Sequence, residues 1–271
     1  MRSTVEGRLI RPYYQSSNVR MYHGRYEDVL PALTWEGDGK VDLLLTDPPY
    51  QETAIVWDQS SHLWVEMVYS YSLLSCRGSI WVFGSMRSLF ELWREMNIYD
   101  FRFAQELVWE KHNGSNMHAD RFRKVHEFVG QWYQKQSRWK SLYHSPVFEL
   151  APGRKSVVRR QRVKHWSKIG VGQYHRDEGG RRLVRSVFRE RSCHGEAVWP
   201  TQKPLGLVKA IVGYSCPPGG LVLDMHMGSG TTLVAAAQLG MRAVGIDKDE
   251  KACEAAVKRL EREAKCVGIS E

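Results

Sequence analysis

Residues Asp47-Pro48-Pro49-Tyr50 place a carboxylate, a stiff backbone and an aromatic ring at one point of the chain. They follow an apolar run at residues 41–45, which predicts a buried strand that ends in a turn because two prolines cannot continue a central strand. The carboxylate and the backbone carbonyls can accept hydrogen bonds, and the ring offers a stacking face. These groups suit a flat, amino-bearing ring such as a nucleobase, although Asp and Pro are also common in ordinary turns.

A second stretch, residues 223–232, has the pattern of a strand, a glycine turn and a helix start. Glycines allow the backbone to approach a ligand closely, and a helix N-terminus offers free amides to an anionic group. Asp247 ends the next predicted strand, where an acid can hydrogen-bond a ribose. The alternative is a turn that merely packs a helix on a strand.

Two nucleotide-binding patterns are missing from this stretch. Leu233 occupies the place of the third glycine in G-x-G-x-x-G, which disfavours NAD, and the P-loop lysine is absent, which disfavours ATP hydrolysis. The remaining ligand is a nucleoside with a small charged tail, and S-adenosylmethionine (AdoMet) fits that description.

Positive charge is concentrated in one segment. The chain carries a net charge of +9, and residues 151–191 contain 13 Lys or Arg against three acids, so the rest of the chain is close to neutral. The wider segment 138–195 also lacks a clear hydrophobic period. It is either a solvated charged loop or a surface that binds nucleic acid.

Bulk composition is that of an ordinary soluble protein, with 42% hydrophobic and 25% charged residues. Neither an apolar run long enough for a membrane span nor a signal peptide is evident. The five cysteines are scattered without C-x-x-C spacing, which argues against a zinc site and a disulfide framework and favours reduced thiols in a cytoplasm. We expect no metal.

Predicted strands alternate with predicted helices. We expect strands at 19–22, 41–45, 79–83, 101–109, 127–133, 221–224 and 243–247. We expect helices at 27–33, 62–74, 88–96, 204–212, 231–239 and 250–265, with Gly78 ending the second of them. Residues 110–124 are expected to form a loop. This alternation predicts an α/β fold with a doubly wound, mostly parallel sheet.

Several segments together resemble one enzyme family, the amino-methyltransferases that act on exocyclic nitrogens of DNA bases. Residues 47–50 resemble the catalytic motif and residues 224–232 the AdoMet loop. Residues 108–111, 126–127 and 199–204 resemble further family segments. The order, with the catalytic motif first and the AdoMet loop last, is that of the β class.

The resemblance implies a Rossmann-like class I methyltransferase fold with circularly permuted motifs and a small basic insert. Residues 1–137 would be the catalytic half, 138–195 the target-recognition insert and 196–271 the AdoMet-binding half. Partners would be double-stranded DNA and a second copy of the chain in a homodimer, in the cytoplasm of a bacterial or phage-infected cell.

The resemblance also implies a reaction and its residues. A methyl group would pass from AdoMet to the N6 amino group of a flipped-out adenine, because the catalytic motif begins with an acid rather than a serine. The implied catalytic residues are Asp47, Pro48, Pro49 and Tyr50. The implied cofactor-binding residues are Asp224, His226, Met227, Gly228, Ser229, Gly230, Thr231, Thr232, Asp247, Thr201 and Lys203. The implied DNA-binding residues are Arg154, Lys155, Arg159, Arg160, Arg162, Lys164, Arg181, Arg182 and Arg185.

The chain departs from the family pattern in three places. Met225-His226 stands where the family usually has Pro-Phe, Trp199 replaces a His, and Arg25 replaces an Asp that helps hold the cofactor. The alternatives are therefore a cytosine-N4 methyltransferase, an RNA methyltransferase, and a catalytically weak, sequence-specific DNA-binding regulator.

Overall fold

The computed structural model describes residues 10–33, 39–49, 73–115, 119–150, 157–158, 173–174 and 180–267. The strands are β1 (Tyr14–Gln15), β2 (Val19–His23), β3 (Val41–Thr46), β4 (Leu74–Gly84), β5 (Phe101–Ser115), β6 (Lys124–Gln134), β7 (Phe148–Leu150), β8 (Val157–Val158), β9 (Gln173–Tyr174), β10 (Arg181–Leu183), β11 (Val187–Arg189), β12 (Leu221–Asp224) and β13 (Arg242–Asp247). The α-helices are α1 (Tyr26–Val29), α2 (Met86–Ile98), α3 (Leu205–Ser215), α4 (Thr231–Gln238) and α5 (Glu250–Val267).

Nine of these strands form one sheet in the order β1-β2-β13-β12-β3-β4-β6-β5-β11. The central run from β2 to β4 is parallel, whereas β6 is antiparallel to both of its neighbours. The strand β3, from the first part of the chain, lies between β4 and the late strand β12. The predicted α/β fold with a mostly parallel, doubly wound sheet is confirmed.

Both faces of the central strands are buried, which explains why their sequences are continuously apolar. Successive side chains point to opposite faces, so Leu43 and Leu45 pack in one hydrophobic cluster while Leu44 packs in the other. Helices α3, α4 and α5 cover the first face, and α1 and α2 cover the second.

Strands β5 and β6 are longer than expected and correct the prediction of a loop at 110–124. The two strands remain paired as far as Ser115 and Lys124. Polar residues are tolerated there because they pair across the hairpin, as Lys111 does with Glu127.

Gly78 was wrongly predicted to end a helix, since it lies inside β4. A Cβ at Gly78 would lie 2.7 Å from the Asp42 carbonyl oxygen of the neighbouring strand, so a close strand approach explains this glycine. The predicted helix at 62–74 falls almost entirely outside the described residues, and Leu74 belongs to β4.

Pro146–Arg185 forms a compact unit of its own, separate from a larger unit made of Met1–Ser145 and Ser186–Glu271. Within the small unit β7 pairs with β10 and β8 with β9, both antiparallel. It is narrower than the predicted insert 138–195 because β11 pairs with β5 in the large sheet.

Among the helices that the structure describes, none combines the length and apolarity of a membrane span. The four cysteines within that same part of the chain are free thiols: Cys76, Cys193, Cys216 and Cys253.

Candidate active site

Three neighbouring parallel strands bring Asp47, Asp224 and Asp247 to one edge of the sheet. Asp47 directly follows β3, and the other two aspartates end β12 and β13. The carboxyl edge of an open α/β sheet is where such folds bind ligands. A cleft of about 760 Å³ opens there. The two regions singled out in the sequence therefore face each other across a single cleft.

The cleft contains most of the predicted cofactor-binding residues. Its lining includes Thr201, Lys203, Asp224, His226, Met227, Gly228, Ser229, Thr231, Thr232 and Asp247, together with Asp47 and Pro49 from the catalytic motif. Gly230 lies behind this surface, where a Cβ would come within 2.9 Å of the Ala256 Cβ on α5. Tyr50 is not among the described residues.

The turn between β12 and α4 has a backbone that favours glycine. Gly228 has φ +47° and Gly230 has φ +71°, both in the left-handed region that side chains disfavour. The Asp247 carboxylate accepts a hydrogen bond from the Gly228 amide at 2.9 Å, and the Asp224 carboxylate accepts one from the His226 amide at 3.1 Å. The two acids therefore also hold the turn in shape.

Arg259 supports the turn from below, and the sequence gave no sign of this role. Its guanidinium is buried and donates hydrogen bonds to the Thr231 hydroxyl at 2.7 Å and to the Ser229 carbonyl at 3.3 Å. Burial lowers the pKa of Arg259. Helix α5 places this arginine beside a loop about 30 residues earlier in the chain, as the Arg259–Ser229 hydrogen bond shows.

A buried row of alternating charges reaches the catalytic motif from the other side. The Lys203 ammonium pairs with Asp47 and lies 3.5 Å from Glu127, and Glu127 in turn pairs with Lys111. Lys203 is only 6% exposed, and its ammonium lies 5.1 Å from the centre of the Phe83 ring. The four side chains Lys111, Glu127, Lys203 and Asp47 are called the charge row below.

The charge row keeps its buried members ionised. Burial by itself would lower the pKa of Lys203, but the Asp47 and Glu127 carboxylates outweigh it and raise that pKa. Burial would likewise raise the pKa of Glu127, yet the Lys203 and Lys111 ammonium groups hold it below its usual value. Sequence reasoning had placed Lys203 with the cofactor and had not singled out Glu127 or Lys111, although both lie in segments that carried the family resemblance.

The cofactor end of the cleft is acidic and partly dehydrated. Burial raises the pKa of Asp224 to about 7 and also raises that of Asp247. Burial lowers the pKa of His226 to about 4, so the imidazole is neutral, and its buried Nε2 has no hydrogen-bond partner.

These features fit AdoMet. Carboxylates that are costly to keep ionised in isolation favour a ligand with positive charge, and AdoMet carries a sulfonium and an ammonium group. The left-handed glycine turn offers backbone amides at the start of α4. The unpartnered His226 Nε2 adds a polar atom that a ligand can satisfy.

The predicted DNA-binding residues divide into two groups. Arg154, Lys155, Arg159, Arg160, Arg162 and Lys164 lie beyond the described parts of the chain. In the small unit, Arg182 pairs with Glu149 at 2.6 Å, the Arg181 guanidinium lies 5.6 Å from the centre of the Phe148 ring, and Arg185 is exposed.

The segment that replaces the family's Gly-Asp lies next to β13. The Gly24 amide donates to the Asp247 carbonyl at 2.9 Å, while the Arg25 side chain is exposed and pairs with Glu27 at 2.8 Å. The Tyr26 ring meets the His226 ring edge-on, with 5.3 Å between centroids.

Comparisons with known proteins agree with this geometry. The family model described as DNA methylase matches residues 41–258. The type II methyltransferase M2.MboI of Moraxella bovis is 24% identical over 92% of this chain and 91% of its own length.

Two solved structures share the fold. The M1.HpyAVI–SAM complex has a TM-score of 0.62 at 23% identity, covering 89% of this chain and all of that one. The cytosine-N4-specific PvuII DNA methyltransferase has a TM-score of 0.62 at 15% identity, covering 95% of each chain. The match to the family model spans most of the sequence, so the chain belongs to the N6/N4 DNA methylase family and is an AdoMet-dependent DNA methyltransferase.

Proposed function

We propose that this enzyme methylates the N6 amino group of an adenine that has been flipped out of double-stranded DNA. The observation that carries the proposal is the position of the Asp47 carboxylate, at the end of β3 in the same cleft as the glycine turn. An acid at the head of the catalytic motif, rather than a serine, supports adenine over cytosine.

Asp47 would act on the amino nitrogen by electrostatics. The lone pair of that nitrogen is delocalised into the ring, so the amine is a weak nucleophile. A carboxylate can accept several hydrogen bonds, and here it would accept one amino N–H while the Pro48 carbonyl accepts the other. Both contacts favour a pyramidal nitrogen, and the negative charge stabilises the positive charge that develops there. Tyr50 would stack on the ring, which offsets part of the few kcal/mol needed to flip the base.

Lys203 would be a positioning residue for Asp47. Its ammonium holds the Oδ2 atom, which fixes the orientation of the carboxylate and favours its ionised form. Glu127 and Lys111 in turn restrain Lys203. The charge row thus prepares the catalytic acid before the substrate arrives.

The residues around the glycine turn would hold the cofactor. Asp247 would accept a ribose hydroxyl, and Asp224 and His226 would meet the charged amino-acid end. When bound, AdoMet supplies a methyl group already activated by its sulfonium. The task of the protein is to align the two reactants, which by itself can supply a large share of the rate enhancement.

The basic insert would bind the DNA around the target, in the setting of a restriction–modification system. Its lysines and arginines would neutralise phosphates, and a few would read base edges in the major groove. Arg185 is the exposed example among the described residues. DNA binding should then weaken steeply with salt. A homodimer in a bacterial or phage-infected cytoplasm completes the proposal, and sedimentation at catalytic concentrations tests the dimer.

Methyl transfer to DNA followed by nucleoside analysis tests the proposal. The purified chain is incubated with tritiated AdoMet and DNA, and the digested product is examined by mass spectrometry. We expect N6-methyladenine, and we expect Asp47→Asn to abolish transfer while AdoMet binding persists. Finding N4-methylcytosine would overturn the assignment of the base, and full turnover by Asp47→Asn would overturn the role of the acid.

A further inference from the structure

The β5–β6 hairpin extends well past the catalytic edge of the sheet. The pairing of β4 with β6 ends at Gly84 and Phe128, while β6 begins four residues earlier at Lys124. At about 3.3 Å per residue, Lys124 lies about 13 Å beyond that last pair. Because β4 is parallel to β3, the hairpin projects past the same edge at which Asp47 lies.

Several contacts brace the hairpin at its base and just before its turn. Lys111 pairs with Glu127 across the two strands, and the Arg123 guanidinium donates to the Gly114 carbonyl at 3.2 Å. The His112 ring accepts a hydrogen bond from the Ser192 amide at 3.2 Å. A Cβ at Gly114 would overlap the Lys124 carbonyl, so the strands approach closely there. A braced element can meet a partner without a large ordering cost.

The end of this hairpin, residues 119–124, carries an aromatic ring among cations and is called the hairpin tip. Phe122 is fully exposed, at 104% of its reference area. Arg121, Arg123 and Lys124 surround it in sequence and are exposed as well. The acid of the tip, Asp120, lies 3.9 Å from Arg121. The tip is therefore net positive, with one apolar group at its centre.

We propose that the hairpin tip docks on the DNA duplex beside the target base. This inference rests on the proposed function, since it takes the DNA that reaches Asp47 as its partner. Cations within reach of a duplex neutralise phosphates, and an exposed apolar side chain between them can press against or between base pairs. Phe122 would thereby help to open the stack from which the target base leaves, and Arg121 and Lys124 would hold the backbone.

Single substitutions at the tip test the proposal, with matched controls on α2. Phe122→Ala and Arg121→Ala are compared with Phe90→Ala and Arg87→Ala, which alter an exposed aromatic and an exposed arginine on that helix. All four side chains are exposed, so we expect the variants to fold. The substrate is a duplex that the unmodified enzyme is shown to methylate, with 2-aminopurine at the target position.

The expected results differ for charge and for apolar contact. Arg121→Ala should reduce the slope of log Kd against log salt by about 1, as expected for one lost phosphate contact, and Asp120→Asn should leave binding equal or tighter. Phe122→Ala should lower kcat/KM for DNA about tenfold and reduce the 2-aminopurine signal, without changing the Kd for AdoMet. The α2 controls should behave like the parent enzyme.

Two other outcomes separate this inference from the proposed function. If the parent enzyme methylates the duplex and both tip variants match the α2 controls, the docking proposal is wrong while the function stands. If the parent enzyme transfers no methyl group to DNA, the proposed function fails, and the tip loses the partner on which the inference depends.

Discussion

The side chains of Lys203 and Asp47, which are 156 positions apart in the chain, form an ion pair at the end of β3. Lys203 is almost fully buried, and Glu127 lies on its other side. The catalytic motif and the segment just before α3 are thus joined by charge as well as by the sheet.

Replacing Lys203 by Met should lower kcat about 100-fold or more, because one preorganised electrostatic contact of this kind is worth about 10²–10³ in rate. The acid limb of the pH–rate profile should move to higher pH, since Asp47 loses the cation beside it. AdoMet affinity should change little. Steady-state kinetics between pH 5 and 9 and calorimetric AdoMet titration measure these effects.

Two further variants control for simple destabilisation of the Lys203 site. Lys203→Arg keeps the charge and should recover part of the rate. Lys209→Met removes a partly buried lysine on α3 that bonds to Gln238 instead, and should leave the pH profile unchanged. An unaltered acid limb in Lys203→Met would contradict the positioning role.

Replacing Glu127 by Gln should reduce both stability and rate. Because the pKa of Glu127 is lowered in the folded protein, its contribution to stability is complete above about pH 4.5 and is lost as pH falls through the lowered value. Urea unfolding should therefore show a deficit for the variant at pH 7 that shrinks in acid. A deficit of equal size at both pH values would mean that the charge of Glu127 is not what matters.

Replacing Asp224 by Asn should remove a pH dependence. With a pKa of about 7, Asp224 keeps its proton to a higher pH when folded than when unfolded, so its contribution to stability falls as pH rises from about 4 to about 7. We expect the Asn variant to gain up to about 4 kcal/mol relative to the parent at pH 8 and little at pH 4.

The same aspartate should make AdoMet binding depend on pH. Its carboxylate is the better acceptor for a cationic ligand, so the Kd of the parent enzyme should decrease as pH rises through 7. The Asn variant should bind more weakly and show a flat profile. Identical profiles for the two proteins would remove Asp224 from the cofactor site.

Replacing His226 by Phe, the residue that the family usually carries there, should stabilise the unliganded protein by about 1–3 kcal/mol because a buried nitrogen without a partner is removed. The lowered pKa of His226 makes its contribution to stability fall as pH drops from about 6.5 to about 4, so the advantage of the variant should grow in acid. Thermal unfolding at pH 7.5 and pH 5 measures both effects. If His226 also contacts AdoMet, the same variant binds the cofactor more weakly, and unchanged affinity would assign the residue to packing alone.

The sequence predicted the central sheet well because its strands are short, continuously apolar runs such as 41–45 and 221–224 that end in turns. It did not predict the outer half of the β5–β6 hairpin, where Lys111 and Glu127 stabilise each other across strands. A polar residue in one strand is indistinguishable from a loop residue until its partner in the other strand is known.

The candidate site was predicted in position more completely than in contacts. Motifs at the ends of predicted parallel strands had to share an edge, which brought Asp47 and Asp247 together. The pairing of Lys203 with Asp47 and the support of the glycine turn by Arg259 depend on how long side chains reach between distant segments. No spacing in the sequence reports such a contact.

The position of β3 between β12 and β4 also has a consequence for synthesis on the ribosome. Asp42, at the start of β3, accepts a hydrogen bond from the Leu221 amide, 179 residues later. The middle of the sheet therefore cannot close until nearly the whole polypeptide has emerged. A nascent chain that stalls before this point holds its catalytic acid without its cofactor turn, so the growing protein cannot modify the genome that encodes it.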